Sequence, residues 1–166
     1  MIRLLLTMLL ALSVLSAHAD EKGGMFSEGR SQFSLTVQNA NAFEKNYFVV
    51  GGSASYFVVD GLGVGLSLEK WSGRGPSITK VAPFAQYFFL PESTVRPYTG
   101  VMYRHTTISD LPSINSVGAR AGVSMASGPN TYLSAGVVYE SYLDCQASIY
   151  RVCSNTYPDV SLTFGF

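Results

Sequence analysis

The chain has 166 residues and no net formal charge; 47% of its residues are hydrophobic but only 13% are charged. Soluble domains carry roughly 25% charged residues, so this composition argues against an ordinary water-facing surface. No basic block is present to mark a nucleic-acid footprint, and the length allows one domain.

The first residues have the form of a secretory leader. Arg3 is basic, Leu4 to Leu15 are apolar apart from Thr7 and Ser13, and Ala17-His18-Ala19 supplies a small-x-small cleavage pattern. The apolar run is shorter than the about 20 residues a membrane helix needs. Residues 1–19 are therefore expected to be a signal peptide cut before Asp20, and residues 20–166 a single outer-membrane domain. Loss of Arg3 with the leader shifts the charge balance by one unit toward negative.

Beyond the leader, apolar residues alternate with Gly, Ser, Thr and Gln. Read in steps of two, the chain divides into eight expected strands. The first, 30–38, sets Phe33, Leu35 and Val37 against Gln32, Ser34, Thr36 and Gln38. The second, 47–57, places Phe48, Val50, Ala54 and Tyr56 on one face, and Asp60-Gly61 signals a tight turn after it. The third, 62–70, alternates Leu62, Val64, Leu66 and Leu68 with Gly63, Gly65, Ser67 and Glu69.

A loop with Ser72, Gly73, Gly75 and Pro76 leads to the fourth strand, 78–89, and Pro91-Glu92-Ser93 turns it into the fifth, 95–105. The sixth, 116–126, points Val117, Ala119, Ala121, Val123 and Met125 to one side, and Gly128-Pro129-Asn130 follows as a turn. The seventh, 131–142, does the same with Leu133, Ala135, Val137 and Tyr139. The last, 156–166, carries Val160, Leu162, Phe164 and Phe166. Helix competes poorly, because the period is two and β-branched and aromatic residues dominate.

Each segment approaches the about 9–11 residues a tilted strand needs to cross a bilayer. The fold class expected is all-β: a closed, eight-stranded, antiparallel, up-and-down transmembrane barrel, apolar outside and polar inside. Short connections after even strands and longer ones after odd strands place both termini in the periplasm. Aromatic residues band near the ends of the segments. Tyr56, Tyr87, Phe89, Phe164 and Phe166 fall toward the inner end, and Phe48, Tyr103 and Tyr139 toward the outer end. These are expected interfacial girdles.

The mature chain resembles the small eight-stranded outer-membrane barrels of the OmpA transmembrane-domain, OmpX and opacity-like type. The likeness is carried by Val160-Ser161-Leu162-Thr163-Phe164-Gly165-Phe166, by Pro83-Phe84-Ala85-Gln86-Tyr87-Phe88-Phe89 and by Arg96-Pro97-Tyr98-Thr99-Gly100. Val160, Leu162, Phe164 and Phe166 look like the signal read by the barrel assembly machinery. The resemblance implies a monomer in contact with outer-membrane lipid and lipopolysaccharide, delivered by periplasmic chaperones. A peptidoglycan-binding domain after the barrel, and with it a cell-wall tether, is not expected.

By parity the inward face carries Glu69, Lys80, Gln86, Arg96, Arg104, Arg120 and Glu140. An eight-stranded barrel is barely wide enough for its own side chains. The expectation is an internal network in which the two glutamates pair with the arginines and block the lumen; the alternative is a narrow pore gated by those pairs, with a modest anion preference. Cys145 and Cys153, in an exported protein, suggest a disulfide restraining the outer loop 143–155. No cofactor or metal is expected.

A lipid A-modifying enzyme is the rival class, and it needs a nucleophile beside a base. The mature chain offers one histidine, His105, near Thr106, Thr107, Ser109 and Asp110, on the lipid-facing parity and without a His-x-Ser-Asn arrangement. The third class is surface interaction. Loops 39–46, 72–77, 106–115 and 143–155 are polar and could meet a host or surface ligand, since function tends to reside on loops held by a rigid scaffold. The role expected is structural or surface-interacting, without catalysis.

Overall fold

The computed structural model describes residues 24–42, 45–89, 93–143, 145 and 153–166. The expected signal peptide and its cleavage site lie outside them. The described residues form eight strands: β1 Ser31–Ala42, β2 Lys45–Val59, β3 Leu62–Gly73, β4 Ile78–Phe88, β5 Val95–Ile108, β6 Ile114–Gly128, β7 Thr131–Tyr142 and β8 Ser154–Gly165. Each pairs antiparallel with the next, and β8 returns to β1 to close the barrel.

The dyad pattern decides the two faces. In β5 every residue alternates strictly, with Val95, Pro97, Val101 and Tyr103 exposed and Arg96, Tyr98, Met102 and Arg104 buried. The outward face is mostly apolar, and Val37 and Val101 are each 62% exposed. Apolar belts of this extent are foreign to a water-facing monomer. The ring positions agree with two girdles: Tyr56, Tyr87, Phe89 and Phe166 are exposed toward one end, and Phe48, Tyr103 and Tyr139 toward the other.

Local sequence explains the tight places. Gly61 closes the β2–β3 turn at φ +79°, and a Cβ there would stand 2.7 Å from the Phe88 carbonyl oxygen, so only glycine suits the turn. Gly122 and Gly136 face each other across β6 and β7. The Tyr98 ring lies over them, and a Cβ on Gly136 would fall 2.6 Å from its hydroxyl. The glycines make room and the aromatic fills it.

Two expectations need correction. The strands run longer than the alternation implied, chiefly at the outer end: β1 and β2 remain paired to Ala42↔Lys45, and β3, β5, β6 and β8 extend to Gly73, Ile108, Ile114 and Ser154. Much of the polar sequence assigned to loops 39–46, 72–77 and 106–115 is therefore strand. Above the bilayer a ladder needs no apolar face, so polar residues there do not signal a loop.

The second correction concerns the lumen, which carries an apolar cluster at each end as well as its polar middle. At the inner end Met25, Phe26, Phe57, Phe88, Tyr98 and Tyr132 form a buried cluster; at the outer end Tyr47, Val49, Trp71, Ile78 and Ile108 form another. Phe26 and Met25 come from residues ahead of β1. The segment is tied down through backbone bonds, with Gly61 N donating to the Phe26 oxygen at 2.8 Å and Gly29 N to the Phe57 oxygen at 2.9 Å. The Glu28 amide also donates to Asp60 Oδ1 at 2.8 Å. Phe26 is thereby held inside the mouth, its ring 4.3 Å from Phe88 and 4.9 Å from Tyr132.

Candidate functional site

Four charged residues, Glu69 of β3, Lys80 of β4, Arg104 of β5 and Glu140 of β7, converge in the lumen because their parity turns them inward. Arg104 of β5 sits at the centre. Its Nη1 donates to Glu140 Oε2 at 2.9 Å and its Nη2 to Glu69 Oε1 at 3.0 Å, and Nη1 also bonds the Tyr157 hydroxyl. Glu140 accepts further bonds from Ser116 at 2.5 Å and from Tyr157 at 3.1 Å. Glu69 accepts from the Trp71 indole at 3.0 Å. Lys80 stands 3.8 Å from Glu140 with its ammonium 4.1 Å from the Trp71 ring centre.

Two of the predicted arginines lie elsewhere. Arg120 pairs with Asp159 at 3.8 Å and donates to Gln86 at 3.4 Å. Among the described residues Arg96 meets no carboxylate; its guanidinium lies 4.4 Å from the Phe26 ring and 4.7 Å from Tyr132. The expected pairing of both glutamates with all the arginines is thus narrowed to Arg104. Cation–π contact replaces ion pairing for Arg96 because the inner mouth is aromatic.

Tyr157, Asp159 and Ser116 were missed. The signal was present, since in β8 Tyr157 and Asp159 share parity with Ser161 and Thr163 and oppose Val160 and Leu162. Phe26 had no such signal, because nothing in its neighbourhood alternates.

Between the network and the inner cluster lies a cavity of about 50 Å³. One wall is built of small residues, among them Ser34, Gly51, Ser53, Gly63 and Ser67, and the other bears Arg120, Gln86 and Asp159. A water needs about 10–15 Å³ measured this way, so the space suits a few waters or one small polar group. Among the described residues no cluster of His, Cys, Asp and Glu could hold a metal.

His105 points outward and its Nδ1 lies 2.8 Å from Asn115 Oδ1, not against Ser109 or Asp110. Cys145 and Cys153 are joined in a disulfide with Cα atoms 5.5 Å apart. The bridge follows the end of β7, where Tyr142 N donates to the Cys153 oxygen at 2.9 Å. Replacing both cysteines by serine is expected to leave barrel folding unchanged and to make loop 143–153 cleave at least several-fold faster with protease, read by gel.

The closed up-and-down barrel, the apolar belt and the filled lumen define the fold of the small eight-stranded outer-membrane barrels. No protein-family model and no curated protein matches the chain. Among solved structures it is similar to the N-terminal β-barrel domain of OprF from Pseudomonas aeruginosa, with a TM-score of 0.67, 18% identity, and 84% of this chain and 98% of that one covered. Neisserial surface protein A follows with a TM-score of 0.59, 18% identity and coverage of 82% and 96%. Yersinia pestis Ail gives 0.56, 18%, 82% and 99%. Likeness at this identity establishes the architecture.

Proposed function

We propose that the chain is an integral outer-membrane protein whose barrel is a closed, non-catalytic scaffold holding loops at the cell surface. One observation carries this reading: the lumen is obstructed at three levels. The outer apolar cluster, the Arg104–Glu140–Glu69 network and the Phe26 cluster follow one another along the axis. Return of β8 to β1 removes most of the open strand edge that lipid would otherwise leave bare. Its partners would be membrane lipid and lipopolysaccharide, the assembly machinery during biogenesis, and a surface ligand for the loops; the barrel acts as a monomer.

Planar-bilayer recording of the refolded protein tests it, and a silent trace is expected. Discrete conductance steps would overturn the closed scaffold in favour of a narrow pore. Lipid A from cells with and without the protein should show the same acyl pattern by mass spectrometry, and an altered pattern would restore the enzyme reading.

A further inference from the structure

The barrel wall is unevenly closed. β1 pairs with β2 from Ser31↔Tyr56 to Ala42↔Lys45, and β8 pairs with β7 from Thr131↔Phe164 to Ser141↔Ser154. Against each other these two strands pair only from Gln32↔Gly165 to Leu35↔Leu162. The Ser34 and Thr163 hydroxyls, 2.8 Å apart, staple this inner part. Above Leu35 and Leu162 the two edges face each other without a shared register, and in β8 that stretch contains Pro158, a residue suited to a strand edge.

Register gives the depth of the gap. Asn39 lies opposite Phe48 and Thr156 opposite Tyr139, and those rings belong to the outer girdle. Thr36 to Gln38 and Tyr157 to Ser161 therefore sit below the girdle, at hydrocarbon depth on the membrane reading proposed above. Every second residue of an antiparallel edge turns its N–H and C=O toward the missing partner. Lipid chains offer those groups nothing.

The space behind the gap is polar. The cavity is lined by Ser34 and Thr36 of β1 and by Asp159, Ser161 and Thr163 of β8. Outside, Leu35, Val37, Val160 and Leu162 flank the seam and are exposed. A polar hollow thus lies behind a slit whose outer lips are apolar.

We infer that this seam is a lateral binding slot for a single-chain amphiphile with a small uncharged hydroxyl head, such as a long-chain alcohol. The head occupies the cavity and bonds its hydroxyls and the bare edge; the chain lies in the bilayer along Val37 and Val160. The cavity, room for a few waters, suits a head of only a few heavy atoms and not a sugar. Arg120 faces Asp159 and Glu69 pairs with Arg104, so the lining offers a head no net charge, while Arg120 Nε, without a hydrogen-bond partner among the described residues, can donate to its hydroxyl oxygen. An edge strand from a second copy fits less well, since the stapled inner part denies it a full ladder.

Trp71, the single tryptophan, reports on the slot: its indole bonds Glu69, which lines the cavity. The mature barrel is refolded into phospholipid vesicles and titrated with a long-chain alcohol brominated next to its hydroxyl. Saturable quenching of Trp71 is expected. The seam is then locked by Val37→Cys with Val160→Cys, positions that continue the existing register, in a background with Cys145→Ser and Cys153→Ser. Oxidation should weaken quenching by about tenfold or more, the scale of one lost anchoring interaction, and reduction should restore it.

If the locked protein fails to fold, Ser161→Leu, which fills the cavity, must give the same loss. Quenching that rises linearly with lipid-phase bromide, or that survives both variants, would overturn the slot. So would a Val37→Cys cross-link between copies, which would assign the seam to a dimer. A chain that stays soluble and compact without lipid or detergent would instead overturn the membrane reading itself.

Discussion

Replacing Glu140 by alanine is expected to lower the stability of the folded barrel by about 3–5 kcal/mol, the cost of stranding a buried charge. Glu140 is 0% exposed and receives bonds from Arg104, Ser116 and Tyr157, with Lys80 nearby. Its removal leaves two buried cations to share Glu69, which Lys80 does not reach within ion-pair distance. Urea titration of the vesicle-inserted protein, followed by Trp71 fluorescence and by gel mobility, measures the loss. Glu69→Ala should cost less, about 1.5–3 kcal/mol, because its side chain is 14% exposed and Arg104 keeps Glu140. Equal costs for Glu69→Ala and Glu140→Ala would refute the hierarchy.

Phe26→Ala should be comparably damaging, at about 3–5 kcal/mol for a large buried ring. Phe26 is 1% exposed and packs on Phe57, Phe88 and Tyr132, with the Arg96 guanidinium on its face. Truncation opens a hole at the inner mouth and leaves Arg96 stacked on Tyr132 alone. Among the described residues, two buried nitrogens of Arg96, Nε and Nη1, have no hydrogen-bond partner, so it depends on those rings. The same denaturation assay reads the effect, and Phe26→Leu should lose distinctly less. A change below about 1 kcal/mol, the range of ordinary surface substitutions and mild ones, would show that the segment ahead of β1 does not plug the barrel. Bilayer recordings on Phe26→Ala should stay silent, because the Arg104 network and the outer cluster still obstruct the lumen.

The strands, their number and their two faces were legible in the sequence because a strand's side chains alternate locally. Val117 to Met125 and Leu133 to Tyr139 announce their outward parity without reference to any neighbour. Parity also sets Glu69, Arg104 and Glu140 opposite the apolar outward positions of their own strands.

Which inward residues meet was decided by the closed tertiary structure. Partnership depends on strand register and barrel shear, which relate residues far apart in the chain, such as Arg104 and Glu140 or Arg120 and Asp159. The Phe26 plug, the apolar layer at Trp71 and Ile108, and the incomplete β1–β8 seam have no periodic signature, since each arises from where distant segments come to rest. Alternation of side chains is a property of one strand; the filling of the lumen and the closing of its wall are properties of all eight together.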